Sequence, residues 1–190
     1  MKKMIFILVL LMVLSTVSVF AWQPSDLMLY PPCMDAGSWL LNVGVGFNGN
    51  PGNLPKFDSD YYYIPPMHAS LDKNVPLSSN KLPFFFGGYF GYWGHGYKGK
   101  NKWFYSALNF GARFGYHFNW GVEKLDTYAV TKLGWSVYLG DKKYLPTAFG
   151  YPDIGINLGA RFFPLSWFGF YAEVGGGSYF SADIGLAFKF

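Results

Sequence analysis

Apolar and polar positions alternate along most of this chain with a period of two. In residues 103–118 the even positions are Phe104, Ser106, Leu108, Phe110, Ala112, Phe114, Tyr116 and Phe118. The odd positions are Trp103, Tyr105, Ala107, Asn109, Gly111, Arg113, Gly115 and His117. One face is bulky and apolar, the other small or polar, as in a strand whose two sides meet different surroundings. Residues 125–139 split the same way, with Leu125, Thr127, Ala129, Leu133, Trp135, Val137 and Leu139 opposing Asp126, Tyr128, Lys132, Gly134, Ser136 and Tyr138. The pattern recurs in 38–47, 84–93, 154–163, 168–174 and 180–190. Residues 62–72 form a weaker eighth segment, because Pro65 and Pro66 withhold ladder donors and predict a late start or a break.

Turn-rich stretches at 48–61, 73–83, 94–102, 119–124, 140–152, 164–167 and 175–178 separate these segments. Eight strands in one chain predict an all-β fold, a closed antiparallel up-and-down barrel over residues 38–190. An internal echo fits hairpin repetition: Asn109–Phe114 reads NFGARF, 157–162 reads NLGARF, and 183–188 reads DIGLAF. All three fall on alternate strands, which run the same way in a meander.

Alternation alone leaves open which face is outside, and glycine decides it. Gly44, Gly46, Gly87, Gly91, Gly111, Gly115, Gly134, Gly155, Gly159, Gly169 and Gly185 lie on the polar face; Gly88 lies on the other. An eight-stranded barrel has an interior just wide enough for side chains to fill, which suits the glycine-rich face. The face carrying Trp39, Phe47, Phe84, Phe86, Phe90, Phe110, Phe114, Phe118, Trp135, Phe162, Phe170, Phe180 and Phe188 would overfill it. Charge agrees. The apolar face of the eight segments carries no Asp, Glu, Lys or Arg, whereas the other carries Asp72, Arg113, Asp126, Lys132, Arg161, Glu173, Asp183 and Lys189, four of each sign. A charge facing hydrocarbon at mid-depth costs about 2–4 kcal/mol in such barrels. A closed barrel also bonds every backbone group internally, as a membrane requires. The expected fold is therefore an eight-stranded transmembrane β-barrel.

Composition narrows the remaining classes. Of 190 residues, 51% are hydrophobic, 22% aromatic and only 14% charged, which excludes a disordered chain. Residues 1–21 read as a signal peptide: Lys2 and Lys3, an apolar run from Met4 to Leu14, and Val19-Phe20-Ala21 before a cleavage point. Beyond it no uncharged apolar run is long enough for a spanning helix. Without Lys2 and Lys3 the mature chain has thirteen basic and eleven acidic residues, too small a bias to imply nucleic acid. One cysteine, Cys33, excludes an internal disulfide or a cysteine-cluster metal site. Residues 22–37 are left as an N-terminal periplasmic extension. An even strand number puts both ends of the barrel on one side, the periplasmic side in known barrels of this kind. Trp93 and Trp103 then fall near the outer rim and Trp120 and Trp167 in inner turns, as two aromatic girdles would.

The arrangement resembles the small outer-membrane β-barrel family, the eight-stranded OmpA/OmpX type, over about residues 38–190. The end of the chain carries the most specific match: Phe180, Ala182, Ile184, Leu186, Phe188 and terminal Phe190 share one face. In that family such a last strand is the signal read by the barrel assembly machinery. The resemblance implies an outer-membrane location, contact with outer-membrane lipids, a monomer, and no cofactor.

Candidate chemistry is sparse. Gly44-Val-Gly46-Phe-Asn-Gly49 matches a dinucleotide fingerprint but runs into a Pro- and Gly-rich loop instead of a helix. His68, Ser70 and Asp72 share one face of the second segment, and some barrels of this family are lipid A esterases with a His-x-Ser strand. Here parity turns that face to the lumen. His95 and His117 are too far apart in the chain's layout for a metal site. Arg113, Asp126, Lys132, Arg161, Glu173 and Asp183 are expected to form a lumenal ion-pair network. The leading expectation is a non-catalytic barrel with a structural or surface-interaction role and a filled lumen. The alternatives are a narrow, porin-like channel for small or apolar solutes, and a lipid A-modifying enzyme.

Overall fold

In the computed structural model, which describes residues 29–47, 60–77, 82–100, 102–140, 150–177 and 182–190, eight strands close into one barrel. They are β1 (Trp39–Phe47), β2 (Tyr61–Leu77), β3 (Leu82–Tyr97), β4 (Trp103–Phe118), β5 (Leu125–Gly140), β6 (Gly150–Phe162), β7 (Phe168–Gly176) and β8 (Ala182–Lys189). Each pairs antiparallel with its sequence neighbours, and β1 pairs with β8 to close the ring. No edge remains, so no strand is left to template association. Residues 1–21, expected to be a signal peptide, and Phe180 lie outside the described residues.

β2 is longer than its alternation predicted. It spans 17 residues, and β3 begins at Leu82, so the expected eleven-residue turn at 73–83 is mostly strand. The Pro pair is accommodated by a register shift between Ile64 and Met67. Ile64 pairs Gly94 and Met67 pairs Tyr92, so Pro65 and Pro66 together oppose Trp93. This two-against-one bulge absorbs the missing donors and reverses the facing of the strand beyond it. Below the bulge the even residues His68, Ser70, Asp72 and Asn74 are buried inside; above it Tyr63 is paired with His95. A simple parity count across 62–72 therefore fails at its upper end.

The two faces differ sharply. Ile154, Ile156 and Leu158 are about 60% exposed, and Phe86, Phe90, Phe110, Phe114, Phe162 and Phe170 about half exposed. Arg113, Asp126, Arg161, Glu173 and Asp183 are all 1% exposed or less. Inward glycines make room for inward rings. Gly111 and Gly134 pair in register, and a Cβ on Gly134 would meet the Tyr89 hydroxyl. Gly44 and Gly185 pair beneath Tyr171, Gly159 lies beneath Tyr128 and Gly115 beneath Phe85. An aromatic on one strand thus fills the space that a glycine leaves on the opposite or neighbouring strand.

The end of the barrel where β1 begins and β8 ends is plugged. Residues 29–37, which precede β1, fold across it: Met34 is buried against Leu40, Phe163, Tyr171 and Ala187. The Tyr30 hydroxyl donates to the Phe84 carbonyl at 2.9 Å, and Asn119 Nδ2 donates to the Tyr30 carbonyl at 3.2 Å. Asn74 Nδ2 donates to the Asp35 carbonyl and to Ser38 Oγ. Gly37, with φ of 86°, turns the chain into β1 where a side chain would be strained.

Candidate functional site

The lumen is the place where polar chemistry is concentrated, and each strand delivers part of it. β4 supplies Asn109, Arg113 and His117 from one face; β6 supplies Asp153, Asn157 and Arg161. The echo NFGARF/NLGARF thereby puts an Asn and an Arg inside the barrel twice, four residues apart. In the third copy, on β8, Asp183 and Ala187 take those places.

Two linked clusters result. Near the plug, Arg161 is the hub. Its Nη1 donates to Asp126 at 2.9 Å, its Nη2 to Asp72 at 3.1 Å and its Nε to Asn42 at 3.0 Å. Its guanidinium also lies 4.0 Å from the Tyr128 ring centre. Asp126 further meets His117 Nδ1 at 2.7 Å, and His117 Nε2 meets Asn74 Oδ1 at 2.9 Å. Farther in, Glu173 is the hub. It accepts from Arg113 at 2.7 Å, Lys132 at 2.8 Å and the Tyr128 hydroxyl at 2.9 Å. Asp72 joins the clusters, because Arg113 Nε lies 3.1 Å from its second oxygen.

Arg113, Asp126, Lys132, Arg161 and Glu173 are thus brought together, with Asp72 between them. Asp183 takes other partners: His68 Nδ1 at 2.7 Å and the Tyr171 hydroxyl at 2.8 Å. Two assignments made from the sequence need correction. Lys189 is not in the lumen; it sits at the plugged end, donating to Asp35 Oδ2 at 2.9 Å and to the Cys33 carbonyl at 2.8 Å. The stretch expected as a turn at 140–152 gives way to β6 from Gly150, in which Asp153 is 3% exposed and accepts from Tyr89 at 2.8 Å. Among the described residues the buried polar groups then include five carboxylates, Arg113, Lys132 and Arg161, and the histidines His68 and His117, each histidine 2.7 Å from a carboxylate. The four-against-four balance is replaced by five carboxylates against Arg113, Lys132 and Arg161, with His68 and His117 each facing one of the carboxylates.

The His68–Ser70–Asp72 set does not assemble as an acyl-transfer site. Ser70 Oγ accepts from Asn42, His68 Nδ1 faces Asp183, and Asp72 binds the two arginines. All three are at most 2% exposed, shut off from the lipid-facing side. No group of three or more His, Cys, Asp or Glu among the described residues is placed to hold a metal ion.

The far end of the lumen is aromatic, which corrects the expected outer girdle. Trp93 pairs with Ala107, and Ala107 with Tyr138; Ala107 and Tyr138 are both buried. Trp93 meets Tyr105 and Tyr138 edge to face at 5.7 and 6.3 Å. Trp103 stacks on Tyr105 at 5.6 Å and lies 5.3 Å from His95, and the Tyr138 and Tyr151 hydroxyls are hydrogen-bonded. These rings face inward and roof the lumen. Parity would have found them, since Trp103 and Tyr105 share the face of Arg113. Exposed tryptophans do ring the plugged end: Trp39, Trp120 and Trp167. The cavity beside Tyr89, Lys132 and Asp153, which opens past Gly176 and Gly177 at the end of β7, measures about 10 Å³, room for one water.

A barrel with ion pairs sealed along its axis and rings and aliphatic groups over its outside is a small transmembrane β-barrel. Among solved structures it is similar to the outer membrane protein Ail of Yersinia pestis, determined as a backbone structure in a phospholipid bilayer nanodisc. The likeness has 14% identity and a TM-score of 0.42, and covers 81% of this chain and 99% of that one. No family model and no curated protein matches this chain. What the barrel does follows from its own two surfaces.

Proposed function

We propose that this chain is an exported, monomeric outer-membrane β-barrel with a structural or surface-interaction role, a closed lumen and no catalytic activity. The observation that carries this is the inversion of surfaces: Arg161 is 0% exposed, whereas Ile156 is 66% exposed. In water that arrangement would bury charge at a cost of several kcal/mol per ion and leave a continuous apolar surface. In a bilayer both features become favourable. The signal peptide read at 1–21 supports export, and the run Ile184, Leu186, Phe188, Phe190 with Phe180 supports handling by the barrel assembly machinery. Outer-membrane lipids are its surroundings, and the strand connections at 48–60, 98–102, 141–149 and 177–181 are its contact with the outside.

The plug and the aromatic roof argue against the channel alternative, and the separate engagements of His68 and Ser70 argue against lipid A chemistry. The test has two parts. Refolded into lipid vesicles, the protein should migrate as a faster band in SDS before boiling than after it. In planar bilayers it should show no steady open state. Identical migration would overturn the barrel reading, and sustained conductance lost on Arg113→Ala or Glu173→Ala would establish the channel instead.

A further inference from the structure

The outer surface has a defect in its apolar belt. Gly88 faces outward, and a Cβ there would have only the Gly111 carbonyl oxygen within 4 Å, at 3.5 Å. Unlike the inward glycines, it is not required by a close approach. Its register partners on either side are Leu71 and Ala112, and Ala69 lies opposite Phe90 one step along. Small residues here are walled by Trp39, Phe86, Phe90 and Phe110, each 37–53% exposed. The result is an open groove of about 720 Å³.

Beside one end of that groove, over its wall residue Trp39, stands a cation in the stretch expected as a turn. With β2 running to Leu77, Lys73 stands on the outward face, opposite Trp39 on β1 and Phe86 on β3. This corrects the expectation that the apolar face carries no charge. The Lys73 ammonium lies over the Trp39 ring, 4.9 Å from its centre. Among the described residues it makes no ion pair with a carboxylate. Lys73 is two residues from the Leu71–Gly88 row, about 7 Å along the strand. A cation and an indole at the interface, with an apolar trough leading from them toward mid-membrane, match a phosphate headgroup followed by its acyl chain.

We infer that this groove is a binding site for one anionic phospholipid of the leaflet at the plugged end: the phosphate pairs with Lys73 and an acyl chain lies in the notch at Gly88. The inference rests on the membrane reading above. The experiment is native mass spectrometry of the mature chain released from nanodiscs of mixed phosphatidylethanolamine and phosphatidylglycerol, after flotation and heat-modifiable migration have established integration. The wild type should retain one phosphatidylglycerol in preference to phosphatidylethanolamine. Lys73→Gln should cut that preference about fivefold, the worth of one lysine beside an anionic lipid. Gly88→Leu, which fills the notch on the outward face, should remove the bound lipid while leaving migration unchanged. Ile156→Ala on another part of the wall should change neither. Equal retention of both lipids, or adducts indifferent to Gly88→Leu, overturns the site while the barrel stands. A dimer that disappears in Gly88→Leu overturns it in favour of a second copy of the chain. Failure to integrate at all overturns the membrane reading and the site together.

Discussion

Asp126 on β5 and Arg161 on β6 are direct register partners, and their side chains meet at 2.9 Å inside the barrel. The pair does more than join adjacent strands, because Arg161 also reaches Asp72 on β2, across the lumen. Arg161→Met keeps bulk but leaves two carboxylates facing each other without their shared cation. Removing one partner of a buried pair costs about 3–5 kcal/mol, so folding stability in vesicles, measured by urea titration, should fall by that amount. Adding Asp126→Asn and Asp72→Asn to Arg161→Met should recover much of it. Equal stability of Arg161→Met and wild type would show that the pair is exposed to water.

Gly88 and Gly111 lie on neighbouring strands but face opposite ways, so their substitutions should diverge. A side chain on Gly111 would run into the Leu133 carbonyl and the Gly134 Cα, both backbone. Gly111→Val should therefore abolish the unboiled, fast-migrating form. Gly88→Ala should leave it intact, with stability within about 0.5 kcal/mol of wild type.

The plug can be read through Cys33. Burial, reinforced by the nearby Asp126 charge, pushes its thiol up to about 12. The unfolded chain returns it to about 8.5. The proton is thus held more tightly in the folded protein, and plug docking loses stability as pH rises above the unfolded value toward the folded one. At pH 8 maleimide labelling of Cys33 should be slow in the folded protein and fast in urea. Met34→Ala, which removes the side chain packed on Leu40, Phe163 and Tyr171, should speed labelling of the folded form. Rapid labelling of the folded wild type would contradict a docked plug.

Most of the barrel was legible because period-two alternation is a local signal, and seven of the eight strands lack the proline pair that disturbs it. β2 was the exception. Its proline pair demands a bulge, the bulge reverses facing, and a residue count cannot say where the reversal falls. The continuation of β2 to Leu77, beyond the predicted segment, hid Lys73 as an outward cation. The lumenal residues were readable one face at a time, but their partners were not. Asp72 binding both Arg113 and Arg161 depends on which strands oppose each other across the lumen, and alternation does not encode that. Trp93 and Trp103 were misplaced for a different reason: position near a rim was weighed above the face they occupy. Met34 has no periodic context at all, since a plug is held by tertiary packing alone.

The claim on which everything else depends is the direction of the faces, and spin-label accessibility in a bilayer reads it directly. In a Cys33→Ser background, single cysteines at Phe110, Asn109, Phe114 and Arg113 would be labelled and compared for collision with oxygen and with a water-soluble nickel chelate. Phe110 and Phe114 should show high oxygen and low nickel accessibility, while labels at Asn109 and Arg113 should be poorly accessible to oxygen or should prevent folding. High nickel accessibility at Arg113, with Phe110 shielded from oxygen, would contradict the account.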